Sequence, residues 1–407
     1  MTHFLKLVCM PAAALLSWAL TAAPSSAAPL AGYGTPNGCV MAAPAAAMPP
    51  MQQSAANSPI FPVQLHMRTP VEPTLLPSGG RAHLFYEVHL SNFSSETLTL
   101  KGIEVIDAGK AGDDAIASFN TDVLSTSFFP IGFAKPGVDV SLAAGQTTVA
   151  FLCLAFEPGV PAPDALRHRV LLSEGTLAGP VLRIHRTPLP VLGPPVTGTD
   201  WVAMGHPAID SHHRTGIFVI DGAAYLSRRY AIDWRIMRQG AMWSGDPLDV
   251  RAYYAYGQKV IAAAGGTVFD ARDGLPDNVP RTPAGFATAL PVTVDNLTGN
   301  FVVVDHGKGQ FAYYAHLQPG SVRVRKGERV RRGQQLGQIG NSGDARYPHL
   351  HFQLTTTPHI LASEGLPYVL DRYRIKSADG SWELRRGEMP LSSMPIDAGG
   401  ATPLRVR

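Results

Sequence analysis

Charge is scarce in this chain. Charged residues are 16% of its 407, and 34 Lys and Arg stand against 31 Asp and Glu, leaving a formal net charge of only +3. No basic stripe of the kind that grips nucleic acid is present, so nucleic acid is not an expected partner. Cysteine is scarcer still, at 3 residues, which excludes a small disulfide-framed scaffold. Beyond the N-terminus no long apolar run occurs, so no stable membrane span is expected once that end is removed. What the chain does have is a 45% hydrophobic share with 40 Gly and 35 Pro, the mark of a globular protein rich in turns. Its length is too great for one ordinary core and implies two or three domains.

Lys6 precedes the apolar run "LVCMPAAALLSWALTAA", and "PSSAA" follows it. This is the layout of a secretory signal peptide over residues 1–27, cut after Ala27, with export to the periplasm or beyond the cell as the consequence. Residues 28–57 are rich in Ala, Pro, Met and Ser with almost no charge, and read as a disordered leader. Only Cys39 and Cys153 survive cleavage. Two cysteines in an exported chain are candidates for one disulfide, a pairing that the sequence leaves open.

From 58 to 190 the pattern is of short strands. "RAHLFYEVHLSNF", "TLTLKGIEVID" and "TTVAFLCLAFE" alternate or run apolar, with Gly, Pro and Asn/Asp clusters between them. Strands at this spacing without helical periodicity predict an antiparallel β-sandwich. The proline-rich "RTPLPVLGPPVTGTD" reads as an interdomain linker, and a second β-rich domain follows over 191–375. Residues 376–407 read as a polar, peripheral tail. The chain is therefore expected to be all-β.

The chemistry concentrates in the second domain. In "YPHLHFQL", His349 and His351 are two apart on a strand-like segment, so their imidazoles project from one face while Leu350 and Phe352 face the other way. In "FAYYAHLQ" the same alternation puts Tyr314 and His316 on a shared face. In "RYAIDWRI", Asp233 stands between Ile232 and Trp234, and a carboxylate in such apolar company is costly unless paired or bound to a metal. Catalytic zinc takes three N or O protein ligands at about 2.0–2.2 Å and keeps a fourth position open.

In order along the chain, "FVVVDHGKGQFAYYAHL", "VRKGERVRRGQQLGQIGNSG" and "PHLHF" resemble the lysostaphin-type (LytM) zinc endopeptidases of bacterial cell walls, over residues 205–372. The resemblance implies a small two-sheet β groove (a duplicated hybrid motif), a bound Zn2+ and a peptidoglycan peptide as substrate. Matched position by position, it makes Asp233 and His351 zinc ligands and His316 and His349 the catalytic pair, with the two roles within that pair left open. One departure stands out: the usual place of the first His ligand, four residues before the Asp, is Arg229, and arginine stays protonated and cannot ligate zinc. This keeps alive a second reading, a catalytically weak wall-binding regulator of other hydrolases.

"SHHRTGIFVIDG" offers a replacement ligand. Asp221-Gly222 marks a hairpin. A plain two-residue turn pairs Ile220 with Ala223 and sets His212 opposite Ala231, whereas a three-residue loop with a Gly222 bulge sets His213 opposite Arg229. Some members of the family carry a single His followed by Arg about 20 residues before the Asp, as His213 and Arg214 stand to Asp233. The resemblance and the bulged register agree on His213, with His212 as the alternative. Scissile bond and oligomeric state are left open.

Overall fold

The computed structural model describes residues 34–43, 62–130, 135–280 and 286–400. The signal peptide, and most of the 28–57 leader, lie outside the described residues. Those described are almost entirely strands and turns, as expected for an all-β chain.

The first half is a sandwich of a six-stranded and a five-stranded sheet. Strand Arg81–Asn92 lies antiparallel to Thr147–Phe156 in one sheet, and Leu98–Asp107 to Ala165–Leu172 in the other. Period-two alternation sends Leu84, Tyr86, Val88 and Leu90 inward, against Ile103, Val105, Leu166 and Val170. The opposite face of the same strands is covered too. Strand Thr147–Phe156 is buried along all but its first residue, which explains why its sequence reads as a continuous apolar run. Phe85 meets Tyr230 edge-on at 6.3 Å between ring centroids, and Leu226 packs on Val149 and Phe151. The second domain is thus the lid on the sandwich's outer face.

That second domain is built on a ten-stranded sheet. Its centre runs Phe311–Leu317, Leu350–Thr355, Ile232–Ile236, Trp201–Met204, each hydrogen-bonded to the next. One face packs Trp201, Trp234, Tyr314, Leu350 and Phe352 into the main core. A two-stranded sheet, Lys259–Ile261 with Gln335–Gln338, closes over that core through Val260 and Leu336.

Three expectations need correction. The 28–57 stretch is not a leader throughout: Cys39–Met41 is a strand, parallel to Cys153–Ala155, and Cys39 is disulfide-bonded to Cys153. Lack of charge suggested disorder, but the covalent tie and the ladder decide otherwise. Nor is 376–407 a peripheral tail. Tyr373–Lys376, Trp382–Arg385 and Ile396–Asp397 extend the large sheet, and Met389 and Ile396 are fully buried. Glu388, also buried, accepts the Gly79 backbone N–H at 2.8 Å and so ties this segment to the sandwich. The 186–200 linker is packed, with Val191–Leu192 paired to Val369–Leu370 and Val196 buried.

The two domains meet at a buried ion cluster. Glu87, on the outer face of Arg81–Asn92, bonds both Arg214 and Arg229 of the second domain. Burial opposes ionisation of Glu87, yet the two guanidinium groups prevail and hold its pKa at about 2. A folded-state value below the unfolded one means stability that is present above pH ~4.5 and lost as pH falls toward 2, on the order of 3 kcal/mol. Denaturant melts at a series of pH values should therefore show wild-type stability falling steeply between those limits, with a shallower fall in Glu87→Gln.

Candidate metal centre

The site forms where the sheet's second face is open. Asp233 and His351 are direct cross-strand partners, and Ala315 pairs with His351 on the other side. Cross-strand partners share a face, so the backbone ladder itself sets the Asp233 carboxylate beside the His351 ring. Ile232, Trp234, Leu350 and Phe352 anchor the same strands from behind. The groove in front has a volume of about 420 Å³, and Arg228, Arg235, Arg346, Phe218 and Ile360 line it alongside the histidines.

All five candidate residues meet there. His351 Nδ1 lies 3.0 Å, His349 Nε2 3.4 Å and His213 Nε2 3.6 Å from Asp233 Oδ1. The rings of His316 and His349 are 4.9 Å apart between centroids. His212 stands at the exposed rim, and its ligand atoms, with those of His213 and Asp233, fall within 4.8 Å of one another.

The tautomers of three of these rings are assigned by the surroundings. Backbone carbonyls only accept, so His213 Nδ1 donates to Gly205 O at 2.8 Å, His316 Nδ1 to Ser342 O at 2.8 Å and His349 Nδ1 to Tyr347 O at 2.6 Å. Each of these rings therefore keeps its lone pair on Nε2. His351 meets an acceptor at each nitrogen, Gln353 Oε1 at 2.7 Å from Nε2 and Asp233 Oδ1 at 3.0 Å from Nδ1, while the Gln353 amide N–H goes to Ile360 O. Nitrogens of His213, His349 and His351 thus converge on one carboxylate oxygen, with the Nε2 atoms of His213 and His349 carrying lone pairs when neutral, an arrangement that a cation among them would stabilise. Imidazole N and carboxylate O are donors that zinc accepts, and outer partners that fix the tautomer are what metal-bound histidines generally have.

Burial acts in the same direction. It holds the His213 imidazole well below the ordinary histidine range, offset only in part by the Asp233 charge. His316 is likewise held far down, by burial first and by the neighbouring imidazoles after it. Burial alone would raise the Asp233 pKa, but His349 and His213 outweigh it and keep the carboxyl well below the usual range. Burial thus disfavours the charged forms of His213 and His316 beside a carboxyl that favours ionisation, and metal ligation needs deprotonated ligands.

Two steps of the sequence argument fail although the residues converge. The hairpin has the plain two-residue turn: Ile220 pairs with Ala223, and Asp221 and Gly222 both have positive φ, at 50° and 78°. That register was expected to favour His212, yet His213 is the buried residue facing Asp233. The ladder ends at Phe218 and Tyr225, and His213 belongs to a turn beyond it, so hairpin register never reaches the histidines. Tyr314 and His316 also do not share a face. Tyr314 points into the core, while a bulge in the ladder and a left-handed backbone at His316 (φ 64°) swing that ring into the groove. Such a conformation in a non-glycine residue carries strain of the kind found at functional sites.

The supporting residues were missed. Gln353 was legible, since it lies two residues after His351 and hence on the same face. Gly205 carried no signal: a Cβ there would stand 2.6 Å from His213 Nδ1, and its φ is 68°. Gly205→Ala should therefore displace the His213 ring, costing about 1–3 kcal/mol of stability and lowering metal occupancy, measured together by thermal melts and elemental analysis.

The site's C-terminal portion, with His316, His349 and His351, falls in a match to the family model described as peptidase family M23, over residues 248–361. Peptidoglycan DD-endopeptidase ShyA of Vibrio cholerae is 32% identical over 147 residues, covering 35% of this chain and 31% of that protein. Cell division protein DipM of Caulobacter vibrioides is 39% identical over 62 residues, 15% of this chain and 10% of that protein. The chain thus matches about a third of the first relative's length and a tenth of the second's. Among solved structures, an M23 metalloprotease, pseudoalterin, from the deep sea overlaps at a TM-score of 0.26 and 15% identity, covering 49% of this chain and 92% of that one. Residues 248–361 are a peptidase family M23 domain, and the chain before them contributes His213 and Asp233 to the same groove.

Proposed function

We propose that the protein is an exported zinc-dependent endopeptidase that hydrolyses peptide bonds of bacterial cell-wall peptidoglycan. The observation that carries this is the convergence of ring nitrogens of His213, His349 and His351 on Asp233 Oδ1. His213, Asp233 and His351 would hold the metal. Zinc bound by them supplies a Lewis acid that lowers the pKa of bound water to about 7. His316 and His349 do the proton work. With Nδ1–H tied to a carbonyl, each presents a basic Nε2 to the groove, able to take a proton from the nucleophile and return it to the leaving amine. Burial of His316 disfavours its charged form, which favours that return.

The likeness to peptidoglycan endopeptidases supports the substrate class. A groove lined by Arg228, Arg235 and Arg346 suits a peptide bearing carboxylates. The Cys39–Cys153 disulfide suits an oxidising compartment, periplasmic or extracellular. His213 takes up the role that Arg229 leaves vacant, which favours the enzyme over the regulator.

Elemental analysis should find stoichiometric zinc in the wild type and near-normal zinc in His212→Ala, with loss in His213→Ala and Asp233→Ala. His316→Ala should keep its zinc while clearing peptidoglycan about 10²–10⁴-fold more slowly. If wild type and His316→Ala behave alike on peptidoglycan zymograms, the enzyme reading fails and the regulator takes its place.

A further inference from the structure

Among the described residues the sandwich contributes no side chain to the groove lining, yet it grips the turn that carries the first ligand. We propose that Glu87 of the sandwich is the positioning residue for His213, acting through Arg214, so that the metal site is complete only when the two domains are docked. The inference rests on the metal-site reading above.

His213 and Arg214 are consecutive in a tight turn, in which the backbone N–H groups of Arg214 and Thr215 go to Ser211 O and that of His213 to Ser211 Oγ. Their side chains leave in opposite directions. The His213 ring enters the groove. The Arg214 guanidinium enters the sandwich, where Nη1 bonds Glu87 Oε1 and Nη2 donates to Tyr86 O at 2.9 Å and Leu152 O at 3.2 Å. The Phe151 ring lies beneath it at 4.9 Å. A planar guanidinium met by two carbonyls, a carboxylate and a ring face has one position open to it. That position sets the Arg214 backbone and, one residue away, the His213 backbone.

No β-ladder does this work instead, because residues 211–217 lie outside the strands. The flanks are pinned to the same sandwich. Ile209 N donates to Asn37 O at 3.0 Å, beside the Cys39–Cys153 strand, and Arg229 Nη2 reaches Glu87 Oε2 at 2.8 Å. Arg229 has a further partner, Glu364, at 3.1 Å; Arg214 does not share it. One sandwich carboxylate thus anchors both ends of the segment that presents His213. Arg229 therefore works as a strut at the position where the resembled family has a ligand.

The test measures zinc affinity on the full chain, by competition with a chelating dye, together with melting temperature. Outer partners of metal ligands typically change affinity by about 10–100-fold, and Glu87→Gln should weaken zinc binding by that much. Glu364→Gln, which loosens Arg229 but leaves Arg214 on Glu87, should lower the melting temperature while keeping wild-type zinc affinity. If Glu87→Gln does not fold, Glu87→Leu with Arg214→Met and Arg229→Met is read instead, since apolar replacements of buried ion clusters are commonly tolerated. That variant should fold and show the same weakening. Wild-type zinc affinity in the folded Glu87 variant would overturn the proposal, as would equal weakening in Glu364→Gln. A wild type that binds no zinc would instead remove the metal-site reading itself.

Discussion

Two arginines cannot be buried side by side without an anion between them, and Glu87 is that anion. Arg214 and Arg229 come from the domain that holds the groove, Glu87 from the sandwich, and all three are almost wholly shielded from water. Taking one member away from such a cluster leaves uncompensated charge in a low dielectric, a loss of about 3–5 kcal/mol. The docking of the domains is therefore directional as well as apolar. Leu226 on Phe151, and Tyr230 on Phe85, supply contact area, while the ion cluster sets the register of one surface on the other.

The groove inherits its precision from two sources of different stiffness. Asp233 and His351 sit on adjacent strands of a large sheet, backed by a core that includes Trp234 and Phe352 at full burial. Their separation is a property of the ladder. His213 lies outside the strands, and His316, although on the strand Phe311–Leu317, has no cross-strand partner in either ladder of that strand. His316 is turned into place by a bulge with a left-handed backbone, and His213 by a turn held from behind by the sandwich. The cost of presenting these two rings is borne by local backbone strain in one case and by interdomain contacts in the other.

Much of this was legible in the chain. The i, i+2 histidines, and an aspartate between two large apolar residues, mark the faces of two strands, because side-chain direction there depends only on alternation. Gln353 was open to the same reasoning. Alternation misled at Tyr314 and His316, because a bulge resets the count and leaves no composition signal. Low charge suggested disorder at Cys39–Met41, and polarity suggested a loose tail after residue 376, where buried Met389 and Ile396 in fact complete a sheet. Each miss comes from a long-range partner, Cys153 in the one case and the rest of the sheet in the other, that outweighs local composition.

Side-chain chemistry and a period of two, both local properties, were enough for the all-β character and for Asp233, His349 and His351 as strand-borne candidates, while the resemblance to the lysostaphin-type endopeptidases joined them with His316 into one set and pointed to a histidine of the 212–213 pair as its complement. The choice of His213 over His212 rested on the resemblance and on an argument about hairpin register, and the second of these does not hold, since the ladder stops short of both. It took the folded chain to settle which ring faces Asp233, because that depends on where Arg214 is held. Arg214 is held by a carboxylate 127 residues away in sequence, in another domain, and no local pattern encodes a contact of that range.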